Sequence, residues 1–375
     1  MKIAIVCYPT FGGSGVVATE LGLALAKQGH EIHFITYKQP VRLEALSENL
    51  YFHEVNVPDY PLFQFQPYEL ALSSKLVDMV KLHGIEVLHV HYAIPHAYAA
   101  YMAKKMLADQ GIKLPIVTTL HGTDITLVGS HPFYKPAVEF SINHSDCVTS
   151  VSESLKNDTI DLFNIKKYIN VIPNFVDFTK HSDHKEECDR DLIALPHERI
   201  VSHVSNFRGI KRILDVVKTF EKIVNNLPAK LIMVGEGPEK EVAMEYCEEH
   251  GFSEHVKFLG KSNQVFEVLC YSDLFLLPSE TESFGLAALE AMMMRVPVIS
   301  SNTGGLPEVN VAGKTGYLLE VGDVEGMAEK SLKLLKDDVL LEEFKTNAQL
   351  EARKFDLTKI IGQYIEVYQE ALKSK

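Results

Sequence analysis

The stretch PNFVDFTKHSDHKEECDRDLIALPHE, residues 173–198, decides between two architectures. It is charged and bounded by Pro173 and Pro196, and the rhythm of the chain pauses there. Before it, short β-branched runs at 2–7, 31–36, 87–91, 116–119 and 148–151 alternate with helical patterns near 15–28, 67–83, 95–110 and 152–163. After it, strand-like runs restart at 200–203, 230–234, 256–258, 274–277 and 296–300. Such alternation predicts parallel sheets with helices on both faces. A closed eight-unit barrel needs no 26-residue interruption. The reading is therefore an α/β chain of two doubly wound Rossmann-like domains facing a cleft. Expected boundaries are 1–170, a linker at 171–198, and 199–355, with a closing helix at about 356–375 that packs back on the first domain.

Composition agrees and excludes several classes. The 375 residues are too long for one compact core. Apolar residues make up 46% and charged residues 23%, which rules out wholesale disorder. A formal charge of −13 argues against nucleic-acid binding as the main role. No apolar run approaches the roughly 20 residues that span a bilayer. The opening MKIAIVCYPTFGGSG breaks at Pro9 and Gly12, too early for a secretory signal, so the chain reads as cytoplasmic. Five scattered cysteines (Cys7, Cys147, Cys188, Cys247, Cys270) speak against a disulfide framework and a thiolate zinc site.

Ligands of open α/β sheets bind at the carboxyl ends of strands, so residues that follow strands carry the functional reading. Gly12-Gly13-Ser14-Gly15 follows the first strand and opens a helix, where free N–H groups can meet an anion. A plain tight turn is the alternative. His89, His91 and His96 lie in HVHYAIPH, and His121-Gly122-Thr123-Asp124 follows a later strand. A zinc site built on these four histidines is one reading, but no H-E-x-x-H or carboxylate set accompanies them. Neutral His121 can instead donate to a sugar hydroxyl or polarise a reacting oxygen. A hydrogen-bonded turn capped by Asp124 is its structural counterpart. Arg42, the first arginine of the chain with the next at Arg190, suits a carboxylate bidentately.

In the second half, Ser205-Asn206-Phe207-Arg208-Gly209-Ile210-Lys211-Arg212 follows a strand and opens a helix. Three cations there oppose the helix dipole unless an anion sits between them, which points to a phosphate. Next comes Pro278-Ser279-Glu280-Thr281-Glu282-Ser283-Phe284-Gly285-Leu286-Ala287-Ala288-Leu289-Glu290. A helix beginning near Ser283 would offer the N–H groups of Ser283, Phe284, Gly285 and Leu286 to a pyrophosphate or sugar. Glu282 and Glu290 can accept from vicinal hydroxyls; a glycosidase pair is disfavoured because two helical turns separate them, about 12 Å of rise. The turns Gly235-Glu236-Gly237-Pro238 and Gly304-Gly305-Leu306-Pro307-Glu308 are explained by glycine dihedrals alone.

Taken together, the E-x7-E pair Glu282/Glu290, the glycine loop, the strand-end HG-x-D, the basic loop and the GG-x-PE turn resemble the retaining glycosyltransferases of family 4, which have the GT-B fold. CYPTFGGSG, HVHYAIPHA, TTLHGTDIT and SNFRGIKR resemble members of that family acting in bacillithiol biosynthesis. The resemblance implies transfer of GlcNAc from UDP-GlcNAc to the hydroxyl of L-malate, with retention and without a metal ion or other cofactor. It implies that Glu290 holds the uridine ribose and Glu282 the sugar 3-hydroxyl. Lys211 and Arg208 would neutralise the pyrophosphate, His121 would contact the 6-hydroxyl, and Lys261-Ser262 would hold the uracil. Gly13 and Asn206 join the donor set; many relatives carry an arginine at the position of Asn206. Ser14, Arg42, Tyr92 and Thr123 are the candidates for malate. The helix after E-x7-E commonly ends in a small residue, whereas here Met292-Met293-Met294 precedes Arg295.

Rival readings remain at this stage. One is a family 4 enzyme with another acceptor: a lipid-linked one is disfavoured because residues 1–170 hold 13 Lys and Arg against 16 Asp and Glu, and a phosphorylated polyol would want more cations near Arg42 than Lys38. Others are the zinc hydrolase and a silent sugar-nucleotide-binding module. Neither nucleic acid nor membrane is expected as a partner; a homo-oligomer is left open.

Overall fold

In the computed structural model, residues 1–373 are described except 11, 44–47, 60, 181–189, 191–192 and 263–264. The chain divides into two units, Met1–Asn174 with Leu357–Lys375, and Phe175–Asp356. Much of the stretch at 171–198 lies outside the described residues; its described part from Phe175 onward counts with the second unit.

The first unit runs β1 (Lys2–Val6), α1 (Gly13–Lys27), β2 (Glu31–Thr36), β3 (Leu50–Glu54), α2 (Tyr68–His83), β4 (Val87–His91), α3 (Tyr98–Ala108), β5 (Ile116–Leu120), α4 (Lys135–His144), β6 (Cys147–Ser150), α5 (Glu153–Leu162) and β7 (Ile169–Val171). Its seven strands are ordered β3-β2-β1-β4-β5-β6-β7, and each pairing is parallel. Strands covered on both faces read as continuous apolar runs, as β1 does with Ile3, Ala4, Ile5 and Val6 all buried. Ser152 caps α5 by accepting from the Leu155 amide.

The second unit repeats the plan with β8 (Arg199–Val204), α6 (Ile213–Val224), β9 (Ala229–Val234), α7 (Lys240–Glu249), β10 (Val256–Gly260), α8 (Val265–Tyr271), β11 (Leu274–Leu277), α9 (Leu286–Met293), β12 (Val298–Ser301), α10 (Leu306–Val309), β13 (Gly316–Leu319), α11 (Val324–Leu335) and α12 (Asp338–Ala352). The strand order is β10-β9-β8-β11-β12-β13, again parallel throughout. On α6, Ile213, Val216, Val217, Phe220 and Ile223 form the buried stripe that a helical period demands.

The closing helix α13 (Leu357–Lys373) belongs to the first unit and packs on α1, β4, β5 and β6. Its buried face is Leu357, Ile360, Ile361, Tyr364, Val367, Tyr368 and Ala371. Cys7, Cys147 and Cys247 are buried free thiols, whereas Cys270 is disulfide-bonded, which the scattered cysteine count did not predict. No helix among the described residues is long and apolar enough to cross a membrane.

Candidate active site

Strand order reverses beside β8 in the second unit, so the loops following β8 and β11 flank the switch point where such sheets bind ligands. The Glu280 amide donates to the Ile210 carbonyl at 2.8 Å, tying these loops together. There the Lys211 ammonium meets Glu282 Oε1 at 2.5 Å, and the Ser279 hydroxyl donates to the same oxygen at 2.9 Å. Their side chains keep only 16% and 14% of their exposure, so the pair is shielded rather than a solvated surface contact. An ammonium and a carboxylate held together at strand ends can take an anion and hydroxyl donors respectively.

The three expected cations do not act as one cluster. Arg212 adopts a left-handed conformation and pairs with Asp215 at 2.5 Å, Lys211 pairs with Glu282, and Arg208 is exposed. Carboxylates of the chain thus supply the counter-charge that sequence reasoning reserved for a phosphate. Asn206 is exposed beside Arg208, and Lys261-Ser262 follows β10.

Helix α9 begins at Leu286, not near Ser283 as expected. Gly285 sits at φ +94 and breaks the helix there; a Cβ on it would lie 2.6 Å from Leu306 Cδ2. Ser283 and Phe284 precede this break, with Phe284 buried edge-on against Phe355. Glu290 is buried on α9. Two residues past the end of the helix, Arg295 is left-handed and its guanidinium pairs with Glu342 of α12.

Two glycine turns matter more than their dihedrals suggested. A Cβ on Gly304 would come within 1.9 Å of the Glu282 carbonyl, and one on Gly305 within 2.4 Å of the Ser283 carbonyl. The Gly305 amide also donates to the Glu282 carbonyl at 2.9 Å. Likewise Gly235 and Gly237 would meet the Ser205 and Phe207 carbonyls at 1.8 and 2.4 Å. One turn cradles the acidic loop and the other the basic loop. Sequence reasoning saw these positions as turns and missed that role; the signal was a glycine pair after a strand.

In the first unit the order reverses beside β1, and the loops after β1, β4 and β5 carry the predicted residues. Helix α1 starts at Gly13, inside the glycine motif. A Cβ on Gly15 would lie 2.5 Å from the carbonyls of Tyr8 and Thr10, so glycine there permits close packing of helix on loop. Ser14 Oγ and Tyr92 Oη are 2.7 Å apart. Thr123 is exposed at the start of the turn after β5. Buried Asp124 accepts from the amides of Ala93, His121 and Gly122, fixing the HG turn against the β4 loop. Burial pushes its carboxyl up to about 6, against the lowering effect of those amides.

His121 Nε2 and His91 Nδ1 are 2.8 Å apart. Burial holds both imidazoles neutral, His121 down at about 3. His91 Nε2 is buried without a hydrogen-bond partner, and an orphaned N–H costs more than an orphaned lone pair. We therefore assign the His91 proton to Nδ1, donating to His121 Nε2, which leaves His121 an Nδ1–H donor. Arg42 lies 3.6 Å from Glu20 of α1. The four histidines of the zinc reading do not converge: among the described residues, a compact trio of ligand atoms occurs only at His33, His53 and His83.

The family models now place this geometry. The one described as Glycosyltransferase Family 4 matches residues 11–180, and the one described as Glycosyl transferases group 1 matches residues 185–351. The chain belongs to the family 4 glycosyltransferases and has their GT-B fold. It is 46% identical over 381 residues to the N-acetyl-alpha-D-glucosaminyl L-malate synthase of Bacillus anthracis, covering 100% of this chain and 98% of that protein. Among solved structures, the sucrose-phosphate synthase of Thermosynechococcus elongatus matches with a TM-score of 0.81 at 20% identity, covering both chains fully at 100%. Anabaena HepE, in complex with UDP and glucose, matches with a TM-score of 0.80 at 18% identity over 98% of this chain and 99% of that one.

Proposed function

We propose that the chain transfers GlcNAc from UDP-GlcNAc to the hydroxyl of L-malate with retention at the anomeric carbon, the first step of bacillithiol biosynthesis, in the cytoplasm. The observation that carries this reading is the 46% identity across the full length to the Bacillus anthracis enzyme.

In this reading the second unit holds the donor. Departure of UDP puts negative charge on the β-phosphate, which Lys211, Arg208 and the N–H groups around Gly285 and Leu286 stabilise. Once Lys211 turns to the phosphate, Glu282 is released to accept from the sugar 3-hydroxyl; Glu290 accepts from the ribose, and the main chain at Lys261-Ser262 holds the uracil. The first unit holds the acceptor, with the His121 Nδ1–H on the sugar 6-hydroxyl and Arg42, Ser14, Tyr92 and Thr123 on malate. Gly13 lets the donor approach the start of α1. The departing phosphate accepts the malate hydroxyl proton as the new bond forms on the same face. No metal ion takes part. A glycosyl adduct trapped on any side chain overturns the same-face step.

The substrate reading is tested by UDP release from UDP-GlcNAc with L-malate, D-malate, succinate and an inositol phosphate as acceptors. L-malate should give the highest kcat/KM and an α-linked product. Faster turnover with the inositol phosphate would move the chain to a sister activity.

A further inference from the structure

We propose that His33, His53 and His83 form a binding site for a divalent transition-metal ion, with three imidazole ligands and one position left to solvent. One nitrogen from each of the three lies within 4.8 Å of the others, and the ring centroids are 4.6 to 5.1 Å apart. His33 on β2 is fully buried, while His53 on β3 and His83 at the end of α2 are partly exposed, giving an ion a way in. Imidazole suits zinc, cobalt, nickel and copper; magnesium and calcium want oxygen.

The surrounding charges orient the trio. His33 Nε2 lies 3.0 Å from Glu31 Oε1, so a carboxylate stands behind this imidazole. An ionised carboxylate only accepts, so the proton of His33 sits on Nε2 and its Nδ1 lone pair faces inward. A metal-ligating histidine commonly has such an outer carboxylate. His53 Nε2 is 2.8 Å from that Nδ1 and donates to it. To ligate, neutral His53 moves its proton to Nδ1 and turns the Nε2 lone pair to the ion, with no net proton release. Opposing charges come from Lys2, 3.2 Å from Glu31, and from Lys75, whose field reaches His53.

His83 lies beside the amino end of β1, where the Lys2 ammonium donates to its carbonyl at 3.1 Å, and His33 and His53 reach it from the middle of β2 and the fourth residue of β3. The loops that carry Ser14, Tyr92 and His121 follow the carboxyl ends of the strands. An ion here would therefore clamp the edge strand β3 to β2 and α2, and the site shares no residue with the transfer machinery.

The test uses the full-length chain, stripped with a chelator and titrated with Zn2+ by calorimetry and with Co2+ by visible absorption. The expected result is one ion per chain, intense four-coordinate cobalt bands, and a melting temperature that rises with zinc. His53→Ala and His83→Ala should each weaken zinc binding by more than about tenfold and remove the cobalt bands. His144→Ala, at an exposed histidine on α4, should change neither. Buried His33 is left intact, because removing it tests packing as well as binding. Absence of saturable binding, or binding that survives the double substitution at His53 and His83, overturns the proposal.

Discussion

Lys211 and Glu282 neutralise one another across 2.5 Å, so substituting either leaves the other charge shielded from water with less compensation. Lys211→Ala should lower kcat by about 10² or more, the scale of losing one charge stabiliser in a transition state. The KM for malate should stay near its wild-type value; wild-type turnover would remove Lys211 from the chemistry. For Arg42→Ala the expected split is the reverse: a large rise in the KM for malate with the KM for UDP-GlcNAc unchanged. Initial-rate kinetics check both, and equal loss toward both substrates would strip Arg42 of its acceptor role. These side chains stood out in the sequence because charged residues after a buried strand have few structural reasons to be there. Gly235, Gly237, Gly304 and Gly305 were legible only as turns. What they do is admit the carbonyls of residues some 20 to 30 positions away, and close approach between loops leaves no local mark. The same blindness hid His33, His53 and His83, which only the β2–β3 pairing and the end of α2 assemble.

At the scale of elements, long buried strands and amphipathic helices were readable because their periodicity repeats. β3, β7 and β13 were missed, being five, three and four residues long and partly exposed. The start of α9 was set too early, near Ser283, because the φ +94 of Gly285, which forces the start two residues later, leaves no mark in the sequence pattern. The other end of α9 offers a measurement. Arg295 occupies a left-handed position, so Arg295→Gly relieves about 1 kcal/mol of backbone strain. It also loses the half-exposed pair with Glu342, worth at most about 1 kcal/mol. Arg295→Ala loses the pair and keeps the strain. Urea unfolding should therefore rank Gly above Ala by about 1 kcal/mol at this position, the opposite of their order inside a helix. Equal or inverted stabilities would mean that α9 ends differently.

Across the whole molecule, buried neutral histidines set the response to acid. Burial pushes His89 and His121 down to about 3, and His53, His96 and His203 to about 4. Unfolded, each would take a proton near 6.5. Between those values the unfolded chain binds more protons, so stability rises with pH, and it is lost as pH falls from about 6.5 toward 4. Asp124, raised to about 6, acts in the opposite sense over part of that window, but it is one group against five. The urea midpoint should drop steeply from pH 7 to pH 5, with proton uptake on unfolding. A midpoint flat over that range would mean that these imidazoles titrate normally.

Helix α13, described above as part of the first unit, also dictates an order of events on the ribosome. Its buried face, from Leu357 to Ala371, covers surface made by α1, β4, β5 and β6, yet it is synthesised only after the whole of the second unit. The second unit, Phe175–Asp356, has all its strands and helices available before the first unit has its closing piece. The usual progression, in which the earlier domain finishes first, is therefore reversed at its last step. Until α13 emerges, the nascent first unit carries an uncovered apolar face, and a chain cut before Leu357 would keep it permanently.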